Sequence, residues 1–157
     1  MSVSDHVLKS LGKIAVNFQF METILVAYIS ELIGPDHTVG QIVATQLPFG
    51  RLCIVVKALF DYKITDVQAR ERFAALVAQA GELEERRNQY FHSAWGSDHE
   101  TGTRVRIKAK VGRRNELAVS MPEVTDEELD QVNQQLRECA IGLTSFGRQI
   151  GLFRTEQ

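Results

Sequence analysis

The chain has 157 residues, 44% hydrophobic and 24% charged, with only 3 prolines, which is the size and balance of a single domain and leaves no room for two. Its two cysteines, Cys53 and Cys139, are far apart and fall on apolar sides of helical patterns as reduced thiols do, so no disulfide scaffold is needed and a cytoplasmic location is expected. No continuous apolar run approaches the roughly 18 residues of a membrane span and Met1 to His6 lacks the plan of a signal peptide, while a net charge of −2 gives no global attraction to nucleic acid.

From Asp5 to Ile33 the apolar residues Val7, Leu8, Leu11, Ile14, Ala15, Phe18, Met21, Leu25, Tyr28, Ile29 and Leu32 recur at steps of three and four. The spacing predicts a long helix, with Ser4 as N-cap and Gly34-Pro35 as its stop. A heptad reading of the same stretch also supports pairing with a second helix. A short helix is expected over Val39 to Thr45, and another over Gly50 to Tyr62, where Leu52, Cys53, Val56, Leu59 and Phe60 keep the helical period.

Thr65 and Asp66 open a proline-free stretch that holds the period through Phe73, Val77, Ala80, Leu83 and Tyr90 to about Ala94. Gly81 costs about 1 kcal/mol relative to alanine inside a helix, so one bent helix and two helices both fit. Residues 96 to 102 carry no periodic apolar content and read as a loop.

Strict alternation follows, with Arg104, Arg106, Lys108 and Lys110 on one side and Val105, Ile107, Ala109 and Val111 on the other. A period of two means a strand. After a turn at Gly112 to Asn115, Leu117, Val119 and Met121 alternate again, predicting a β-hairpin over about 103–121. Thr125-Asp126-Glu127-Glu128 has the form of a capping box, and Leu129, Val132, Leu136, Cys139, Leu143 and Phe146 then mark a last long helix. The expected fold is mainly α: residues 1–157 form one four-to-five-helix bundle with the hairpin inserted before the C-terminal helix.

On the fourth predicted helix Arg87 stands in the apolar row that runs through Leu83 and Tyr90. An arginine does not shed its charge in a protein, so in such a row it needs an anionic partner: either Glu84 or a phosphate from outside. Asn88 and His92 lie one turn apart on the same helix, which concentrates polar chemistry in one turn.

Arg87-Asn88-Gln89-Tyr90-Phe91-His92, near the end of a long helix in a small bundle, resembles the HEPN family, whose motif is an Arg, four to six residues and a His, with a polar residue commonly following the Arg. The Glu-rich turn Glu82 to Glu85 and Trp95-Gly96 are flanking features similar to bacterial HEPN-like proteins, and the layout is alike over most of the chain. The resemblance implies a homodimeric, metal-independent endoribonuclease, often the toxin of a toxin–antitoxin or other defence system, with an antitoxin protein as partner, RNA as substrate and no cofactor.

In that reading His92 moves the proton of the 2′-hydroxyl or of the leaving 5′-oxygen, as a histidine with an ordinary pKa near about 6.5 can. Arg87 supplies charge to the phosphate and Asn88 assists through hydrogen bonds. Glu84, Tyr90 and Trp95 would wall the pocket. Products would be a 2′,3′-cyclic phosphate and a 5′-hydroxyl, and DNA would be inert for want of the 2′-hydroxyl. On a straight helix Arg87 and His92 lie roughly 140° apart, so either the helix end unwinds or two copies contribute to one site.

Between Thr101 and Glu116 six cations, Arg104, Arg106, Lys108, Lys110, Arg113 and Arg114, face a single acid, a local charge of +5 in a chain of net −2. Such a stripe either follows a nucleic-acid backbone or protects a sheet edge from aggregation. No zinc-ligand spacing, phosphate-cradling glycine loop or nucleophile elbow occurs, which argues against metal-site, NTPase and triad-hydrolase classes. Two non-enzymatic readings stand beside the ribonuclease: a module of the same fold that binds RNA, nucleotide or a partner protein, and a dimerising structural subunit in which Arg87 is paired with Glu84.

Overall fold

The computed structural model describes residues 5–97, 103–111 and 117–154. Five helices carry the fold: α1 (Asp5–Ile33), α2 (His37–Ala44), α3 (Phe49–Lys63), α4 (Val67–Phe91) and α5 (Asp126–Gln149). Three strands, β1 (Ala94–Ser97), β2 (Arg104–Val111) and β3 (Leu117–Ser120), lie between α4 and α5. They form an antiparallel sheet in the order β1-β2-β3. The mainly helical bundle with a β insert before its last helix is therefore as the sequence predicts.

Helix α1 is the axis of the bundle and packs against α2, α3, α4 and α5. Its fully buried residues Val7, Ile14, Met21, Leu25, Tyr28 and Ile29 are among those the three-and-four spacing selects, whereas Leu8 of the same set is 55% exposed. Each large apolar side chain removed from water contributes about 1.5–3 kcal/mol. At the far end of the bundle Phe60 and Phe73 stack with ring centroids 4.0 Å apart, and Tyr28 lies 4.8 Å from Phe73. The buried hydroxyl of Tyr28 donates to the Leu143 carbonyl at 2.7 Å, so the polar end of that ring is satisfied inside the core.

Helix ends follow local chemistry. Gly34 has φ of 127°, a conformation that only glycine adopts without strain, and it lets the chain reverse after α1. The Asp36 carboxylate accepts from the Val39 amide, Asp66 from the Gln68 and Ala69 amides, and the Thr125 hydroxyl from the Glu128 amide. Each such cap is worth about 1 kcal/mol. Gly40 allows α2 to lie flat on α1, because a Cβ there would stand 2.6 Å from the Ser30 Cα. The Ser4 cap falls outside the described residues.

Three expectations are corrected. Helix α4 is one continuous helix across Gly81, but it stops at Phe91 rather than near Ala94. Ala94 to Ser97 then form β1, so Gly96 and Ser97 belong to a strand where a loop is expected, and the hairpin becomes a three-stranded sheet. Ala94-Trp95-Gly96-Ser97 is too short to show a period; β2, which pairs with it, is what makes it a strand. Third, α1 is long and apolar enough to cross a membrane by length and composition, with an 18-residue window of mean hydropathy 1.2, of which 44% is buried in the bundle. Counting continuous apolar residues misses this, because an amphipathic core helix with few charges reaches the same mean.

Candidate functional site

Arg87 sits in the second-last turn of α4, half-buried. Its guanidinium carbon lies 5.0 Å from the ring centre of Phe18 in α1 and 4.5 Å from that of Phe91. Cation–π contacts of this kind contribute roughly 0.5–2 kcal/mol. Nη1 donates to the Asn88 side-chain oxygen at 2.8 Å, and the buried Nε has no hydrogen-bond partner. Asn88 thus touches Arg87 directly.

Glu84 does not pair with Arg87. Among the described residues no carboxylate forms an ion pair with the Arg87 guanidinium. The field of Glu84 falls instead on Cys53 in α3: burial pushes that thiol up to about 11, and the Glu84 charge adds to the rise. Of the three readings drawn from the sequence, the one with Arg87 neutralised by Glu84 loses its defining contact.

His92 follows directly on the end of α4. Its φ of −99° and ψ of 22° leave the helical region, its amide donates to the Asn88 carbonyl at 3.0 Å, and its side chain is exposed. The helix therefore ends at the histidine, so the angle of a straight helix no longer governs the direction of that ring.

Tyr90 and Trp95, expected as pocket walls, form the back of this turn. Tyr90 is buried, its hydroxyl donates to Glu128 in α5 at 2.6 Å, and Trp95 lies across it with centroids 6.2 Å apart. Burial raises the Tyr90 pKa to about 12, helped by the hydrogen bond to Glu128. Glu128 is also the last residue of the expected capping box: Thr125 makes its half of that box, while the Glu128 carboxylate is turned to Tyr90 instead.

The basic strand is the largest surprise. Arg106 is only 8% exposed; its Nη1 donates to the Gln89 carbonyl at 3.0 Å and its guanidinium lies 4.9 Å from the Tyr90 ring. Arg104 hydrogen-bonds to Asp126, whose carboxyl it holds below the usual carboxylate range, with His6 3.2 Å away on the same oxygen. Arg106 and Arg104 of β2 are thus turned toward the end of α4 and the acidic start of α5. Carbonyls crowd the first and Asp126, Glu127 and Glu128 the second, and both attract cations. Lys108 is half-buried opposite Ser120, and Lys110 pairs with Ala118. Arg113 and Arg114 lie outside the described residues.

Arg86 is a participant that the sequence pattern did not single out. It hydrogen-bonds to Gln135 of α5, tying the same turn of α4 to the last helix. Adjacent arginines give no signal as to which faces a neighbour. A separate groove of about 700 Å³ between α1 and α5 is lined by Lys13, Asn17, Asn133 and Arg137 among others. No group of three His, Cys, Asp or Glu residues able to hold a metal occurs among the described residues.

Comparison with protein-family models, with curated proteins and with solved structures found no match for this chain.

Proposed function

We propose that the C-terminal end of α4 is the active site of a metal-independent endoribonuclease of HEPN type, acting as a homodimer. The observation that carries this reading is the state of Arg87. A half-buried guanidinium, held over two aromatic rings and by Asn88, has no carboxylate partner among the described residues and lies five positions from an exposed histidine. A cation so placed, with aromatic rings fixing it, suits an anion that arrives from outside.

In the reaction His92 takes the proton of the RNA 2′-hydroxyl. The 2′-oxygen then bonds to phosphorus and the bond to the 5′-oxygen breaks, with that oxygen taking up a proton from water as it leaves. Arg87 balances the charge on the phosphate oxygens during the crowded intermediate stage. Asn88 fixes the guanidinium through its side-chain oxygen. A second copy would bring its own α4 end beside the first, and an antitoxin protein would cover the pair if the enzyme serves a toxin–antitoxin or defence system.

The test is cleavage of an end-labelled mixed RNA pool in EDTA by wild type, Arg87→Ala and His92→Ala, with analysis of the product ends. Cleavage by wild type alone, leaving 2′,3′-cyclic phosphates, is the expected result. No cleavage by a folded dimer would transfer the site to a binding module for RNA or nucleotide. Equal cleavage by all three proteins would remove Arg87 and His92 from the chemistry.

A further inference from the structure

We infer that Arg106 is a positioning residue: from β2 it holds the turn of α4 that carries Arg87, Asn88 and His92. The inference rests on the ribonuclease reading for its effect on rate, though not for its effect on the turn.

The last carbonyls of a helix have no helical amide to accept from. At the end of α4 the Asn88 carbonyl still accepts a helical amide, and the next two carbonyls are taken up by side chains. The Asn88 carbonyl receives the His92 amide at 3.0 Å, the Gln89 carbonyl receives Arg106 Nη1 at 3.0 Å and the Ser93 hydroxyl at 2.6 Å, and the Tyr90 carbonyl receives Trp95 Nε1 at 3.0 Å. Arg106 and Trp95 are Cα partners across β2 and β1. In an antiparallel pair, opposed residues project to the same face, so the sheet presents both side chains to one helix end.

Arg106 is a costly way to fill that space. A guanidinium 8% exposed, with no carboxylate on it among the described residues and with an Nε lacking any partner, carries a desolvation cost that an apolar residue would avoid. Its contacts explain what it adds. The charge meets the carbonyl end of α4, and the guanidinium lies over Tyr90, whose hydroxyl is tied to Glu128. One side chain thereby couples the sheet, the last turn of α4 and the start of α5. Misplacing a catalytic turn by about 1 Å is enough to lower a rate by roughly a hundredfold.

The experiment compares full-length wild type, Arg106→Gln and Arg106→Lys. In RNA cleavage, Arg106→Gln is expected to lower kcat by about 10–100-fold with KM within about twofold, and Arg106→Lys to recover part of the loss. Unchanged kcat in Arg106→Gln overturns the inference, and so does a raised KM with kcat kept, which would make Arg106 a contact for RNA. If Arg106→Gln does not fold, Arg106→Lys decides alone: reduced kcat supports the inference and wild-type kcat overturns it.

A readout independent of activity separates this idea from the ribonuclease reading. The His92 amide should exchange with solvent at least about tenfold faster in the variant, while the Leu136 amide in α5 exchanges as in wild type. Emission of Trp95, the single tryptophan, should shift as its contact with Tyr90 loosens. If wild type cleaves no RNA, the ribonuclease reading falls and the exchange data still judge the turn. Unchanged His92 exchange would remove Arg106 from its support.

Discussion

The guanidinium of Arg87 lies 5.0 Å from the ring of Phe18, so α1, which contributes nothing to the Arg–His motif, forms part of the seat of its arginine. Phe18 is itself fixed by Phe49 at the start of α3, with ring centroids 4.7 Å apart. The seat of that guanidinium in α1 is therefore braced in turn by α3.

A prediction about charge against shape follows. Arg87→Lys keeps the charge but loses the planar fork that lies over two rings and reaches Asn88, so cleavage should fall by about 100-fold while the unfolding free energy changes by no more than about 1 kcal/mol. Phe18→Leu is the complementary test. It keeps an apolar side chain at a buried position but removes the aromatic face, and should cost about 1–2 kcal/mol of stability together with a several-fold loss of cleavage. Thermal unfolding and single-turnover rates on the same samples check both. Wild-type rates in Arg87→Lys would show that the fork has no role.

Alkaline pH should weaken the fold through groups that burial keeps neutral. Tyr90 is raised to about 12, and the Cys53 and Cys139 thiols to about 11, in each case first by desolvation. All three lose protons more easily in the unfolded chain, so the stability they contribute is fully present below their ordinary pKa values, near about 8.5–10, and is lost as pH rises through about 11–12. Urea midpoints measured from pH 7 to 11.5 should be level to about pH 9 and then decline. Tyr90→Phe should decline less over that range, although it is less stable at pH 7 by about 1–3 kcal/mol because Glu128 loses its donor. A variant profile parallel to wild type would mean that Tyr90 ionises no later in the fold than out of it.

The helices and their caps were legible because burial on one face and a short polar cap are local properties. Thr125, Asp66 and Gly34 each act where their chemistry predicts. Arg87, Asn88 and His92 were legible as residues. Their environment was not: Phe18 is 69 positions away in sequence from Arg87, and nothing in the Glu84 spacing says that its field falls on Cys53.

The basic strand shows the limit most clearly. Alternation correctly places Arg104 and Arg106 on one face but cannot say which face is inward, because a strand of cations is read as solvent-facing by default. Here the end of α4 and the acidic start of α5 reverse that rule, since their carbonyls and carboxylates are better partners for guanidinium than an apolar core would be.

The same inversion sharpens what a salt series should show for RNA. Each phosphate contact adds about 0.7 to the slope of log affinity against log salt for a single strand. Arg104 is engaged with Asp126, so Arg104→Ala should leave that slope unchanged and lower the thermal midpoint. Lys108, half-buried on the same strand and forming no salt bridge among the described residues, is the residue whose replacement by Ala should lower the slope by about 0.7 with little change in unfolding. Binding of a labelled oligoribonucleotide from 50 to 300 mM salt (roughly the range in which the counterion effect is strong) separates the two. Equal slopes for wild type and Lys108→Ala would take β2 out of the RNA surface and leave Arg104 and Arg106 with a single role, the holding together of the two helix ends.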